Sequence, residues 1–399
     1  MKKLISIILI GILATLSFGE FYVQPYFNTV SENGQDYLLY SINGVFENDS
    51  FGLGLGLNAY QKEIGGSLYY GTPNMEETDN ILSGLTINLL KLRIGPLYFR
   101  YGISYPKTAG LGILMYNYTN NFKNALDLGF INEDIKAEVH MPYSLDSIIP
   151  VNYSQSGYLY YGILKTHVGF INLEFFGGKT MEKEDIKPLR DDVLGSVSAY
   201  LGEGILKIGG EAGYISSTID STTVNGYGAG AGGILNLGII TLKSLPVVIQ
   251  MPYYKLGFVN VEYENNLENP DTAYDILNYD TIRFGGINEI DIHLGNIINA
   301  NGRLHYDLTK TFEVQNPEIT GSLYAQIPSE EFPLIIIGKY YRPMESLEDI
   351  NNWLDKNTSA EISVGYPVSN NLFMLYTKYY DSFNDEFKDK IEFSVINEF

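Results

Sequence analysis

The sequence predicts an all-β protein in which a single antiparallel sheet closes into a transmembrane barrel of about 18–24 strands, with about 20–22 as the best estimate. Three observations predict this fold. Apolar and polar side chains alternate with a period of two from Phe21 to Phe399. The alternating segments are about 9–12 residues long, as membrane-crossing strands must be. The chain is rich in aromatic residues, with 33 Tyr, 20 Phe and one Trp among 399 residues.

The alternation assigns each segment an apolar face and a polar or glycine-rich face, because successive side chains of a strand point to opposite sides. Segment 51–60, for example, sets leucines against glycines, and the same pattern recurs in 95–105, 206–214, 300–308 and 360–368. Strands of soluble proteins average about 5–6 residues, which is shorter than these segments. In lipid every backbone N–H and C=O group must be paired, so a spanning sheet has to close. Apolar faces then contact lipid, polar faces line a lumen, and the many tyrosines supply interfacial girdles.

A secreted soluble β-sandwich, propeller or β-helix is the alternative, since its strands alternate as well. The strand length, the low charge within strands and the lack of a blade-like repeat favour the barrel.

The N-terminus has the layout of a secretory signal peptide. Lys2 and Lys3 precede an apolar run that ends at Phe18, and Ser17–Gly19 forms a small-x-small site. A membrane anchor is the alternative, but about 14 apolar residues fall short of the roughly 20 needed for a span. We therefore expect cleavage after Gly19, with residues 1–19 as the signal peptide and 20–399 as the barrel. Loss of two lysines takes the net charge from −21 to −23.

Four connections between strands are predicted to be long: Pro142–Ser156, Lys179–Asp192, Tyr263–Asp280 and Arg342–Thr358. The last contains Ser346-Leu347-Glu348-Asp349, which has the S-x-x-[DE] capping pattern and predicts a short helix.

The last strand sets Phe393, Val395 and Phe399 on one face and ends on an aromatic residue. It resembles the closing strand of porin-like bacterial outer-membrane β-barrels, in which the barrel-assembly machinery reads a C-terminal aromatic and alternating apolar positions. Asn397 departs from that pattern, which usually has an apolar residue there. The resemblance implies residence in the outer membrane, with its lipid and the assembly machinery as partners.

Composition excludes several kinds of chemistry. The absence of cysteine excludes disulfides and thiolate metal sites, and 47 acidic against 26 basic residues argue against a nucleic-acid partner. The four histidines do not form H-E-x-x-H, and no G-x-S-x-G is present, so we expect no enzyme, cofactor or metal site. His305 with Asp307 on one strand face could imitate a hydrolytic site, although a histidine in a polar lumen network is the favoured interpretation.

One charged cluster is predicted to face the lumen. Read as three adjacent strands, Thr281–Ile287, Ile290–Ile297 and Ala300–Leu308 place six residues on the polar face: Arg283, Asp291, His293, Arg303, His305 and Asp307. Charges facing lipid would be costly, so they should point inward. Opposite charges on neighbouring strands are typical of the transverse field of a pore constriction, and salt bridges bracing the wall are a compatible alternative.

The function predicted is passive passage of small hydrophilic solutes or cations, with a weak preference for cations. Seven inward acids outnumber four inward bases, namely Glu174, Glu211, Glu289, Asp291, Asp307, Glu361 and Glu392 against Arg100, Lys207, Arg283 and Arg303. The alternative is a non-channel surface protein, with the barrel as anchor and acidic loops as adhesin, receptor or structural layer. Transport of apolar molecules would need an N-terminal plug, and few residues precede the first turn at Glu32. A homo-oligomer is compatible with the sequence.

Overall fold

The computed structural model describes residues 20–399 except 33–34, 64, 74–76, 184–186, 203, 296, 310, 312, 328–332, 345, 352, 368–371, 383 and 396–399. The predicted signal peptide therefore lies outside the described residues. The fold is nearly all β, and one sheet contains 21 strands, of which β4 has only two residues. The remaining 20 strands agree with the predicted number.

The strands are β1 Glu20–Glu32, β2 Gln35–Glu47, β3 Phe51–Gln61, β4 Tyr69–Tyr70, β5 Leu85–Ile94, β6 Leu97–Ile103, β7 Asn124–Ile131, β8 Ile135–Met141, β9 Tyr143–Ser147, β10 Asn152–Gln155, β11 Leu159–Val168, β12 Ile171–Thr180, β13 Asp191–Leu201, β14 Leu206–Ile219, β15 Thr222–Asn236, β16 Ile240–Gln250, β17 Arg283–Leu294, β18 Ile298–Leu308, β19 Val314–Ile327, β20 Leu334–Pro343, β21 Ser359–Pro367, β22 Leu372–Asp381 and β23 Glu386–Val395. Strands β9 and β10 form a separate two-stranded sheet in the described part of the chain.

Helices are few and short among the residues that the structure describes. Two α-helices cover Tyr263–Glu268 and Pro270–Ala273, and 3-10 helices cover Ile81–Gly84, Asn120–Phe122, Asp275–Asn278 and Leu347–Asn351. The last of these is the helix predicted from the capping pattern at Ser346. Within the described residues, no helix has the length and apolar character required to cross a membrane.

The chain divides into two compact units. The first comprises the described residues of Met1–Pro106, Thr119–Leu164 and Lys179–Pro188. In it β1, β2, β3, β5, β6, β7 and β8 pair antiparallel in that order, and β8 continues to β11. The second unit comprises Lys107–Tyr118, Lys165–Gly178 and Leu189–Phe399, again as far as described. In it β13 to β23 pair antiparallel in sequence order.

The two faces of the sheet are reversed relative to those of a soluble protein. On β14 the apolar Leu206 and Ile208 are 47% and 51% exposed, whereas Glu211 and Ser217 of the opposite face are buried. We call these the apolar face and the polar face. The first unit repeats the arrangement on β8, where Val139 is 49% exposed beside fully buried His140. Water does not favour exposure of one whole aliphatic face, so this pattern indicates an apolar surrounding.

The connections alternate in length. Every second connection is short, with no more than six residues. This set begins with the connections between β2 and β3, between β5 and β6, and between β7 and β8. All the long ones belong to the other alternate set, which in an antiparallel sheet meets at the opposite edge. The four predicted long connections belong to this set, but residues 62–84 and 104–123 form two more long connections that were not among those predicted.

Closure of the sheet was predicted through pairing of Phe21–Asn28 with Ile391–Phe399. Among the described residues β1 pairs with β2 and β23 with β22, and residues 396–399 of the predicted closing segment lie outside the description. Closure therefore stays a prediction.

Candidate functional site

One deeply buried part of the second unit is a segment that leaves the sheet. Residues Lys107–Tyr118, here the inserted segment, follow β6 and are closed by two backbone hydrogen bonds between Lys107 and Tyr118, of 2.8 and 2.9 Å. Leu111, Ile113 and Met115 have no exposed surface. An apolar loop with such complete burial requires a matched surface to pack on.

Glycine lets the inserted segment make its sharp turn. Gly110 has φ = +61°, which L residues with a side chain rarely adopt. A Cβ atom at this position would meet Ser198 Oγ and would lie 2.5 Å from Glu211 Oε2. The backbone can approach the polar face this closely only because the residue is glycine.

Carboxylates of the polar face hold the inserted segment by its backbone. Glu211 accepts hydrogen bonds from Leu111 N at 2.7 Å, Ile113 N at 3.2 Å and Leu114 N at 3.2 Å. Glu174 accepts from Gly110 N at 2.9 Å, while its Oε1 atom lies 3.1 Å from Lys165 Nζ. These two acids were predicted to face inward, and on the polar face they accept hydrogen bonds from backbone N–H groups of the protein; that this face lines a lumen stays a prediction.

Tyr116 joins the inserted segment to a charged cluster of β16, β17 and β18. Its hydroxyl donates to Glu289, Lys243 Nζ lies 3.9 Å from the ring centroid, and Arg303 Cζ lies 5.1 Å from it. Burial raises the pKa of the Tyr116 phenol, as does the nearby Glu289 carboxylate, so the hydroxyl remains a neutral donor. Asn301 Nδ2 completes the cluster by donating to Glu289 and to Asp291, at 2.8 and 2.6 Å.

A second connection, between β16 and β17, packs on the inserted segment. Gly257 N donates to Ile113 O at 2.8 Å and Val259 N to Leu114 O at 3.0 Å, and Met115 and Val259 form a parallel bridge. Its side chains Tyr254, Val259 and Tyr263 are fully buried. The two connections together form a small apolar core against the polar face of the second unit.

A buried ionic network fastens the second connection. Asp192 of β13 accepts from Arg190 Nε at 3.0 and 2.9 Å, from Ser217 Oγ at 2.5 Å and from Tyr263 OH at 2.6 Å. Arg190 Nη1 also donates to Ala273 O at 3.0 Å. All of these groups are buried. The charges of Arg190 and Asp192 are therefore balanced by each other and by hydrogen bonds within the protein rather than by water.

The six predicted cluster residues lie on two strands rather than three. Residues 281–287 and 290–297 belong largely to the single strand β17, because Arg283–Leu294 pairs with β18 without a register shift. Alternation still places Arg283, Asp291 and His293 of β17 on one face, with Arg303, His305 and Asp307 of β18 beside them. The register, however, sets His305 opposite Ile287 and Asp307 opposite Gly285.

The cross-strand pair of opposite charge is therefore Glu289 with Arg303, which the predicted cluster did not contain as a pair. Individual cluster members have separate contacts. Arg283 donates to Tyr254 O, Asp291 accepts from Asn301, and His293 Nδ1 lies 2.8 Å from Asn299 Oδ1. Between cluster members, the described residues show no ion pair within 4 Å.

The first unit has a polar cluster that sequence reasoning missed. Asp127 of β7 faces His140 of β8, with Asp127 Oδ1 2.7 Å from His140 Nδ1, and Arg100 Nη1 lies 3.9 Å from Asp127 Oδ2. The His140 ring stacks on Tyr161, with centroids 4.5 Å apart. The usable signal was the alternation in β7 and β8, which places both residues on the polar face.

The C-terminal assembly residues are described in part. Phe393 and Val395 lie in β23 and pair with Met374 and Leu372 of β22. Phe399 lies outside the described residues.

Several solved structures are similar to this chain at low sequence identity. The crystal structure of OccAB4 from Acinetobacter baumannii is 12% identical, covers 91% of this chain and 96% of that chain, and has a TM-score of 0.39. The outer membrane protein OmpT of Vibrio cholerae, in its trimer form, is 10% identical over 78% of this chain and 92% of that chain, with a TM-score of 0.36. A mutant of the Rh. blastica porin is 10% identical over 76% and 98%, with a TM-score of 0.31. This chain resembles porin-like outer-membrane β-barrels. No family model and no curated protein matches it.

Proposed function

We propose that the protein is an outer-membrane β-barrel that works as a passive channel for small hydrophilic solutes. The observation that carries the proposal is the reversal of the two sheet faces in both units, with exposed aliphatic residues opposite buried charges. Long antiparallel strands with this reversal suit a lipid surrounding and a polar interior. In this proposal β1 and β23 pair to close 20 long strands, an even number that antiparallel closure favours.

The connections suggest how the barrel is oriented. Outer-membrane barrels have short periplasmic turns and longer extracellular loops. We therefore place the edge with the six-residue or shorter turns in the periplasm and the long connections outside. The inserted segment and the connection between β16 and β17 then enter the barrel from the outer side.

The inserted segment is proposed to narrow the channel. An open barrel of about 20 strands is wide enough for water, since 16–18 strands already leave an aqueous channel. The core formed by Leu111, Ile113 and Met115 would reduce this opening over β13 to β18, leaving a polar surface that includes Ser322, Lys339 and Glu361.

Cation preference is proposed to be weak. Glu174, Glu211 and Glu289 are 1%, 3% and 6% exposed, so they contribute less to the field in water than a count of inward acids suggests. The acidic connections supply the remaining negative charge, and salt screens charges beyond roughly 8 Å at physiological ionic strength.

A non-channel surface protein is the second candidate, and the fully buried core of the two connections favours it. Conductance of the purified, refolded mature chain in planar bilayers separates the two. We expect discrete current steps. Properly folded protein that inserts, as judged by heat-modifiable mobility, but carries no current would refute the channel.

A further inference from the structure

The connection between β20 and β21, residues 344–358, lies against the apolar face of the sheet. On β21 and β22 this face is identified by Ile362, Val364 and Tyr376, which are 49%, 40% and 47% exposed. The opposite face carries the buried Ser363 and Thr377, whose hydroxyl oxygens are 2.7 Å apart. The two faces are thus assigned independently of the connection.

Two side chains of β20 hold the connection. Gly338 pairs with Ile362 and Tyr340 with Ala360, so Tyr340 and Arg342 belong to the apolar face by alternation. The Tyr340 hydroxyl donates to Trp353 O at 2.8 Å, and the two rings lie 6.2 Å apart at 55°.

Arg342 also holds the connection, and we call its contacts with Asp349 and Asp355 the clasp. Its guanidinium is 1% exposed and donates through Nε to Asp355 Oδ2 at 3.1 Å and through Nη2 to Asp349 O at 2.8 Å. Burial works against the charge of Asp355, but hydrogen bonds from Asn357 N–H and Arg342 outweigh it and hold the pKa of this carboxyl below its usual range. The clasp is therefore ionic at neutral pH.

Trp353, which is the only Trp of the chain, is 58% exposed beside this clasp. Indole combines a large apolar ring with one N–H donor, which suits the boundary between acyl chains and headgroups. Near the same end of the strands, Lys378 and Asp389 form a half-exposed ion pair of 3.6 Å on the apolar face, next to Ile362. A charged pair at the margin of an apolar face suits a headgroup layer.

We propose that residues 344–358 form a membrane-interface anchor, in which Trp353 inserts into the headgroup layer of the surrounding lipid. The proposal rests on the proposed function, because it requires the apolar face to contact lipid. The connection is thereby excluded from the channel, unlike the inserted segment, and has a separate role in fixing the depth of the barrel in the membrane.

The single Trp provides the experiment. The mature chain is reconstituted in phosphatidylcholine vesicles whose acyl chains carry bromine either near the headgroup or near the bilayer centre, and Trp emission is measured with aqueous iodide as the second quencher. We expect blue-shifted emission, strong quenching by the shallow bromine, weaker quenching by the deep bromine and little quenching by iodide. Trp353→Phe should abolish the signal.

Two matched variants in the Trp353→Phe background test the faces themselves. Val364→Trp should be quenched by brominated lipid if the apolar face contacts lipid, and Ser363→Trp, on the opposite face, should not. Absence of quenching at position 364 would refute the proposed function. Quenching at position 364 without quenching of native Trp353 would overturn the anchor alone.

Further outcomes decide the partner. If neither bromine nor iodide quenches Trp353, the side chain is covered by a protein partner such as a second copy. If iodide alone quenches it, the side chain lies in water. Either result overturns the anchor. Arg342→Ala should release the connection, which lowers quenching by shallow bromine and raises quenching by iodide. Asp355→Asn, which retains the volume of the side chain, should act in the same direction should Arg342→Ala fail to fold.

Discussion

Glu211 offers the sharpest test of the proposed channel, because its carboxylate accepts hydrogen bonds from three backbone N–H groups of the inserted segment. Glu211→Ala leaves the N–H groups of Leu111, Ile113 and Leu114 buried without their acceptor. Each buried unsatisfied donor costs about 1–3 kcal/mol. Taking the lower figure for each, since such effects are not additive, the segment loses about 3 kcal/mol of stabilisation against local opening.

This loss should change the population of the open segment without unfolding the sheet, which is held by its strand pairing. Because about 1.4 kcal/mol corresponds to a factor of ten, the open population should rise roughly 100-fold. Hydrogen exchange followed by mass spectrometry on peptides covering residues 107–118 measures this directly as faster exchange. Planar-bilayer recordings should show larger or more frequently fluctuating conductance.

Glu361→Gln is the matched control. Its carboxylate also belongs to the polar face of the second unit, but it is partly exposed, and it lies 3.2 Å from the exposed Lys339 Nζ. Exposed pairs of this kind contribute about 0–1 kcal/mol, so exchange of residues 107–118 should not change. If residues 111–114 exchange their amide hydrogens at the wild-type rate in a correctly assembled Glu211→Ala barrel, the anchoring role of Glu211 is refuted.

The remaining predictions concern the turn, the assembly signal and the selectivity. Gly110→Ala should displace the inserted segment, since φ = +61° and the approach to Glu211 both disfavour a Cβ atom, and it should accelerate exchange of the same peptides as Glu211→Ala; an unchanged peptide would contradict this packing. Deletion of Phe399 should reduce assembled, heat-modifiable barrel and leave mature protein in the periplasm, and undiminished assembly would count against the resemblance at the C-terminus. Reversal potentials across a KCl gradient should show a modest preference for cations that weakens as salt rises, whereas a clear anion preference would show that the lumen charge is assigned wrongly.

The strands themselves could be predicted from the sequence because the two faces of each strand have different surroundings, one apolar and one polar. A residue such as Ile208 faces an apolar surrounding and its neighbour Lys207 does not, so each strand records its own orientation in a period of two. The strand at residues 206–214 could therefore be predicted without knowing which strands pair with it. The helix at Leu347–Asn351 could also be predicted from local sequence, since its capping pattern lies within four residues.

The inserted segment could not be recognised in the same way, because it imitates a strand. Leu111, Ile113 and Met115 alternate with Gly110 and Gly112, which is the pattern of a membrane strand with a small-residue face. What makes it a loop is long-range. Its backbone donors meet a carboxylate about one hundred residues later in the chain. Only the length of the connection between β6 and β7, once both strands are placed, could have indicated it.

The same long-range contacts explain why a charge count from the sequence overstates the electrostatic field of a lumen. Alternation places Glu174, Glu211 and Glu289 on the polar face, but it cannot distinguish a carboxylate in water from one that accepts several hydrogen bonds. A carboxylate that binds backbone N–H groups has its charge balanced by those dipoles and is removed from the path of ions. A polar face can therefore hold a loop with the very residues that would otherwise attract cations. In the proposed channel, selectivity would then depend on the acids that the inserted segment leaves uncovered, such as Glu361, and on the acidic connections that we propose to lie outside the membrane. For this reason we expect Glu211→Ala to alter the size and stability of the opening far more than its ion preference.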